Sequence, residues 1–166
     1  MDQNLEEKYL QMKIGIKAPN FDLKSTNKIN FSLKDYLGKF LILYFYPKDD
    51  TPGCIVEAND FNKLLLQFKK LNCEVFGVSK DNLKSHDKFR EKYKLKFDLL
   101  SDEELTVLKK FKVWGKKKFM GREFMGILRT TFLIDKKGKI LKIWENVKVK
   151  DHAVEVLNTL KEIQKK

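Results

Sequence analysis

The chain is poor in the residues that staple or punctuate a small fold. Only two cysteines, three prolines and two histidines stand among its 166 residues. Two thiols make no disulfide framework. Cys54, Cys73, His86 and His152 lack the close paired spacing of a structural zinc site, so no metal and no cofactor is expected. Cysteine here serves either packing or redox chemistry. Long apolar runs are also missing: the longest, Phe40-Leu-Ile-Leu-Tyr-Phe-Tyr46, has the length of a buried strand and not of a membrane span. The first thirty residues contain acids and no apolar core of the signal type, so the expected compartment is the cytoplasm, where thiols stay reduced.

Acidic residues are outnumbered, 23 against 35 Lys and Arg, for a net charge of +12. Such a balance raises nucleic acid or an anionic membrane as partners. Lysine supplies most of it, however, and is spread along the chain. The densest stretch, Lys109-Lys110-Phe-Lys112 with Lys116-Lys117-Lys118, stands beside an expected loop. Without an aromatic-interleaved basic motif or a recognition helix, the reading is a solvated, lysine-rich surface. Neither a nucleic-acid nor a membrane partner is expected.

What the chain does have is apolar content, 42% with thirteen Phe, enough for one core and one domain. Residues 1–11 are charged and read as a short helical arm or loosely held extension. The domain then spans 12–166. Phe21–Lys24 and Lys28–Ser32 flank Ser25-Thr26-Asn27 as a small hairpin. Leu41–Tyr46, Glu74–Ser79 and a short piece around Phe97–Leu100 read as strands. Cys54–Leu71, Leu83–Tyr93 and Glu103–Phe111 read as helices. Lys112–Gly126 reads as irregular. Thr130–Asp135 and Lys139–Glu145 pair across Lys136-Lys137-Gly138, and an amphipathic helix carrying Val154, Leu157, Leu160 and Ile163 ends the chain. Strands alternating with helices, then a late hairpin, predict an α/β sandwich with a mixed central sheet and helices on both faces.

The chemistry concentrates in Tyr46-Pro-Lys-Asp-Asp-Thr-Pro-Gly-Cys54-Ile-Val-Glu-Ala58. Thr51 suits the N-cap and Pro52 the first helical position, where a missing N–H does no harm. Cys54 is then the third helical residue, where free N–H groups and the helix dipole favour an anion. A thiolate is the reactive form of cysteine, and helix N-termini favour it. Gly53 leaves the backbone uncovered for a small oxygen-bearing substrate. The competing reading is a buried cysteine at an ordinary helix start. Arg129 stands at the entrance of a strand otherwise built for burial. It is either a rim arginine on a surface acid or, if folded next to the helix start, a permanent cation for the thiolate.

Pro47-x-x-x-Thr51-x-x-Cys54 resembles the active-site signature of peroxiredoxins. The fuller Tyr44–Cys54 run is similar to the bacterioferritin comigratory protein (peroxiredoxin Q) branch. The likeness continues through Ala18-Pro19-Asn-Phe21, Glu74–Ser79, Ser85–Phe89, Leu99–Asp102, Val113-Trp-Gly115, Met125–Asp135 and Gly138-Lys-Ile140, covering about 150 residues from Met12 on. The resemblance implies a thioredoxin-like three-layer sandwich. It also implies a thiol peroxidase that reduces hydrogen peroxide and organic hydroperoxides. In it Cys54 is the peroxidatic cysteine, Thr51 sets its hydroxyl beside the sulfur, Pro47 shields the site from water, and Arg129 stabilises thiolate and transition state. Glu57 is either the partner of Arg129 or a surface helix carboxylate.

One departure stands out. Many members of the branch carry a resolving cysteine five residues after the first, and here that position is Asn59. Cys73, at the start of an expected strand, reads as a packed core thiol, with a resolving role as the alternative. The implied type is a one-cysteine enzyme, monomer or weak homodimer, regenerated by thioredoxin, glutaredoxin or a small thiol. A dithiol oxidoreductase lacks its second thiol, since Ile55-Val56-Glu57 follow Cys54. His86 reads as a helix residue bonded to a neighbouring loop, and His152 as surface. Trp114, Phe119, Met120, Phe124 and Met125 read as core packing or as an apolar rim to the peroxide pocket.

Overall fold

The computed structural model describes residues 12–166; the expected extension at 1–11 lies outside the described residues. The elements run β1 (Asp22–Ser25), β2 (Phe31–Ser32), a 3-10 turn (Leu33–Tyr36), β3 (Phe40–Phe45), α1 (Pro52–Lys70), β4 (Cys73–Ser79), α2 (Leu83–Tyr93), β5 (Leu99–Ser101) and α3 (Thr106–Lys110). They continue with β6 (Trp114–Phe119), β7 (Arg122–Ile127), β8 (Thr130–Ile134), β9 (Ile140–Trp144) and α4 (His152–Gln164).

Strand β3 is apolar throughout because it has no solvent face. It lies inside a seven-stranded sheet of order β2-β1-β5-β4-β3-β8-β9 and pairs parallel with β4 and antiparallel with β8. The sheet is mixed: β4 also runs parallel to β5, whereas β1, β2 and β9 join antiparallel. Alternate β3 residues feed two cores. Ile42 and Tyr44 meet Phe61, Leu65 and Phe68 of α1 with Val156, Leu157 and Leu160 of α4. Leu41, Leu43 and Phe45 meet Phe31, Leu33, Leu108 and Phe111 on the other face. The result is the expected α/β sandwich, three layers with a mixed central sheet.

Three expectations are corrected. The helix expected over 103–111 spans only Thr106–Lys110, because Leu105 adopts a positive φ of 65° and the buried Asp102 carboxylate accepts the Leu108 N–H at 2.8 Å. The segment expected to be irregular is the regular hairpin β6–β7, turned by Met120 and Gly121 with φ of 49° and 79°. Paired positive φ values match the right-handed twist of the strands, and glycine supplies one without strain. The hairpin forms a separate two-stranded sheet with much of both faces in water. Its sequence therefore shows no alternation to read. For the same reason Phe119, Met120, Phe124 and Met125 are exposed and are not core. Finally, His152 is buried, its Nε2 2.8 Å from Thr131 Oγ1 and its ring edge-on to Phe61 and Trp144.

Candidate active site

The carboxyl end of β3 delivers the chain into the site. Tyr46 is the last residue bonded to the sheet, its N–H donating to the Val78 carbonyl of β4, and the loop 47–51 then turns into α1. Thr51 is the N-cap by backbone, with φ −106° and ψ 153°, and Pro52 is the first helical residue. The Thr51 side chain does not cap. Its hydroxyl donates instead to the Lys48 carbonyl at 2.8 Å, closing the loop and leaving the oxygen's lone pairs as acceptors. The first intrahelical bond is Ile55 N–H to Thr51 O, so the N–H groups of Gly53 and Cys54 have no intrahelical acceptor.

Cys54 is 1% exposed, with its sulfur facing Arg129 from 75 residues on. Arg129 Nη2 donates to Cys54 Sγ at 3.4 Å, and Nη1 donates to Glu57 Oε1 at 2.8 Å. Gly53 permits this approach: a Cβ there would stand 3.2 Å from Arg129 Nη2. Glu57 is one turn beyond Cys54 on the inner face of α1 and is buried, so of its two readings the pair with Arg129 is the one found. Burial pushes its carboxyl up to about 7 against the pull of Arg129. Among the described residues, Glu57 Oε2 and the nearby Tyr44 hydroxyl have no hydrogen-bond partner.

Polar side chains hold the loop, and of their bonds the sequence anticipates only that of His86. The Asp49 carboxylate is buried and accepts from the Tyr46 hydroxyl at 2.6 Å and the Ser85 hydroxyl at 2.8 Å. It also lies 2.7 Å from His86 Nδ1, whose Nε2 faces the Leu100 carbonyl at 2.9 Å. The Asp49 N–H donates to Asp81, and Asp50 takes Lys92 and the Tyr93 hydroxyl, each at 2.8 Å. The signal for this network was the run of polar residues after a fully apolar strand. Apart from Tyr46, three residues before Asp49, the partners of Asp49 and Asp50 lie 32 to 43 residues away, and no local spacing connects them.

Cys73 is placed apart. It opens β4 beyond the far end of α1, and at about 1.5 Å per residue the helix from Cys54 to Lys70 is roughly 24 Å long. Burial pushes its thiol well above the ordinary cysteine range. Asn59 is half-exposed on α1.

The chain that builds this arrangement is similar to known proteins. The profile of the AhpC/TSA family matches residues 14–143. The chain belongs to this family. Within it, peroxiredoxin Bcp of Bacillus subtilis is 48% identical over 157 residues, covering 95% of this chain and all of the relative. Peroxiredoxin Bcp of Escherichia coli K12 is 42% identical, covering 91% of this chain and 97% of its own. The crystal structure of a cysteine-to-serine mutant of Xylella fastidiosa PrxQ superposes with a TM-score of 0.88 at 42% identity, over 93% of this chain and 99% of that one. The bacterioferritin comigratory protein of Xanthomonas campestris, solved in work on its alkyl peroxide reduction activity, gives 0.84 at 37% identity over 90% and 98%. The fold is therefore the thioredoxin-like fold of the peroxiredoxins, and this AhpC/TSA protein is a thiol peroxidase.

Proposed function

We propose that Cys54 is the peroxidatic cysteine of this thiol peroxidase, acting on hydrogen peroxide and organic hydroperoxides as a one-cysteine enzyme. The observation that carries the reading is the guanidinium contact of Arg129 with Cys54 Sγ at 3.4 Å. The thiolate attacks the terminal peroxide oxygen in line with the O–O bond. That oxygen stays on sulfur with its hydrogen as a sulfenic acid, and the electron pair of the broken bond leaves on the second oxygen, which takes a proton to become water or alcohol. Arg129 and the free N–H groups at the start of α1 face the region where this charge develops and need no reorganisation to meet it. Thr51 accepts a hydrogen bond from the peroxide, while Pro47 and the buried position of Cys54 limit water. The alkyl peroxide chemistry of the Xanthomonas relative supports organic substrates here.

The distance to Cys73 supports an external thiol as the reductant. Thioredoxin, glutaredoxin or a small thiol attacks the sulfenic sulfur, releasing water and leaving a mixed disulfide that a second thiol reduces. Cysteine α-carbons must come within about 7 Å to join, which α1 forbids unless it unwinds. We also propose a cytoplasmic enzyme, a monomer or weak homodimer, with residues 1–11 as an extension of a domain over 12–166. Peroxide consumption with excess dithiol and intact mass after one equivalent of peroxide test the reading. Cys54→Ser is expected to abolish turnover and Cys73→Ser to keep it, with the oxidised chain 16 mass units heavier, one oxygen. A quantitative Cys54–Cys73 disulfide, with turnover lost in Cys73→Ser, would make Cys73 the resolving thiol.

A further inference from the structure

Beyond the pair of Arg129 and Glu57, one lysine is anchored on the backbone that leads to this site. Lys117 on β6 reaches across β7, and its Nζ donates to the Ile127 carbonyl at 2.9 Å. Its stem lies over Gly126, where a Cβ would stand 3.0 Å from Lys117 Cδ. The neighbours Lys116 and Lys118 are exposed, and Lys118 only approaches Glu123 at 3.6 Å. Lys117 is thus the anchored member of the lysine run, and the carbonyl it holds precedes Arg129 by two residues. Arg129, ahead of β8, contacts the sulfur and pairs with Glu57 of α1, and its charge is also felt by Tyr44 of β3 and His152 of α4. Lys117 shares their field. Burial and the charge of Arg129 hold it below the ordinary lysine range, and Cys54 pulls it the other way.

The Ile127 carbonyl fixes Lys117, Glu57 fixes Arg129, and the guanidinium of Arg129 meets the sulfur. We propose that Lys117 is a positioning residue of the peroxidatic site: from β6 it holds the last carbonyl of β7, two residues before Arg129, and so fixes the backbone that presents the guanidinium to the sulfur. The proposal rests on Cys54 being the nucleophile. It gives the hairpin a catalytic purpose, and it gives Gly126 one too, as the bare position over which the lysine stem passes.

The test compares Lys117→Met, Lys118→Met, Gly126→Ala and Lys117→Arg in the full chain, reading the peroxide rate against pH. Lys117→Met is expected to slow the reaction at pH 7 by about threefold to tenfold and to move the rising limb of the profile to higher pH. Lys118→Met removes the same formal charge one residue away and is expected to match the unmodified protein. Gly126→Ala keeps every charge but pushes the lysine stem aside, so its profile is expected to move in the direction of Lys117→Met. Lys117→Arg is expected to return the limb toward its original pH. Coincident profiles for Lys117→Met and Lys118→Met, in a protein whose activity Cys54→Ser abolishes, would overturn the role of Lys117 alone. Activity that survives Cys54→Ser would remove both the nucleophile and this proposal.

Discussion

At the scale of single residues, Arg129 does two jobs that one substitution would confuse. It neutralises Glu57, which is 1% exposed, and it contacts the sulfur. Above about pH 7, where Glu57 is ionised, removing one partner of a buried ion pair typically destabilises a protein by about 3–5 kcal/mol, because the other charge stays behind unpaired. Losing a charge-assisted contact to the thiolate and transition state is worth about 1.4 kcal/mol or more, a factor of ten in rate. Arg129→Met is therefore expected both to lower thermal stability and to slow peroxide reduction more than tenfold. Adding Glu57→Gln should restore much of the melting temperature and none of the rate. Stability and rate recovering together in the double variant would mean that Arg129 only supports the fold.

At the scale of elements, the loop from Pro47 to Thr51 is short and carries the site, yet it is held mainly from outside itself. Asp49 gathers the Tyr46 and Ser85 hydroxyls and His86, and Asp50 ties the loop to the end of α2. Asp49→Asn keeps the volume but replaces one acceptor oxygen with a donor that faces other donors. Leaving one buried polar group unsatisfied destabilises by about 1–3 kcal/mol. The variant is expected to unfold earlier and to show faster amide exchange at residues 48–51 and 53–55 than the unmodified protein, with α4 unchanged. Uniformly faster exchange across α4 would mean that Asp49 supports the core as a whole and not the loop. The hairpin β6–β7 is the opposite kind of element, held by its own ladder and turn, and exposed.

At the scale of the molecule, two buried ionisable groups give stability opposite dependences on pH. Burial raises Glu57 from an ordinary 4.5 to about 7, so the folded state keeps a proton that the unfolded chain has released. Its contribution is complete below about pH 4.5 and disappears as pH rises toward 7. Burial, helped by the charge of Arg129, lowers His152 from 6.5 to about 4. Its contribution is complete above about pH 6.5 and disappears as pH falls toward 4. Between these limits the two slopes oppose one another. Glu57→Gln is expected to leave a melting temperature that falls on acidification from pH 6.5 to 4.5, and His152→Asn one that falls on raising pH through the same window. Slopes of the same sign in the two variants would contradict this account.

The sequence alone determined a good deal of this protein, wherever the signal is local. The all-apolar β3, the helical spacing of Phe61, Leu65 and Phe68, and the Thr51-Pro52 start of α1 place Cys54 at a helix N-terminus without any tertiary knowledge. The terminal helix and the turn at Lys136–Gly138 were legible for the same reason. Tertiary structure decided whatever depended on residues far apart in the chain. Whether Glu57 met solvent or Arg129 turned on the connection between β7 and β8, 72 residues away, and whether His152 was surface or core turned on Thr131. The hairpin escaped notice because a strand pair with much of both faces in water imposes no alternation on its sequence. Of the network around Asp49 only the bond of His86 to a loop was legible, because hydrogen bonds carry no period; the sheet brings the ends of β3, β4 and β5 side by side, and α2 packed beside it supplies Ser85 and His86.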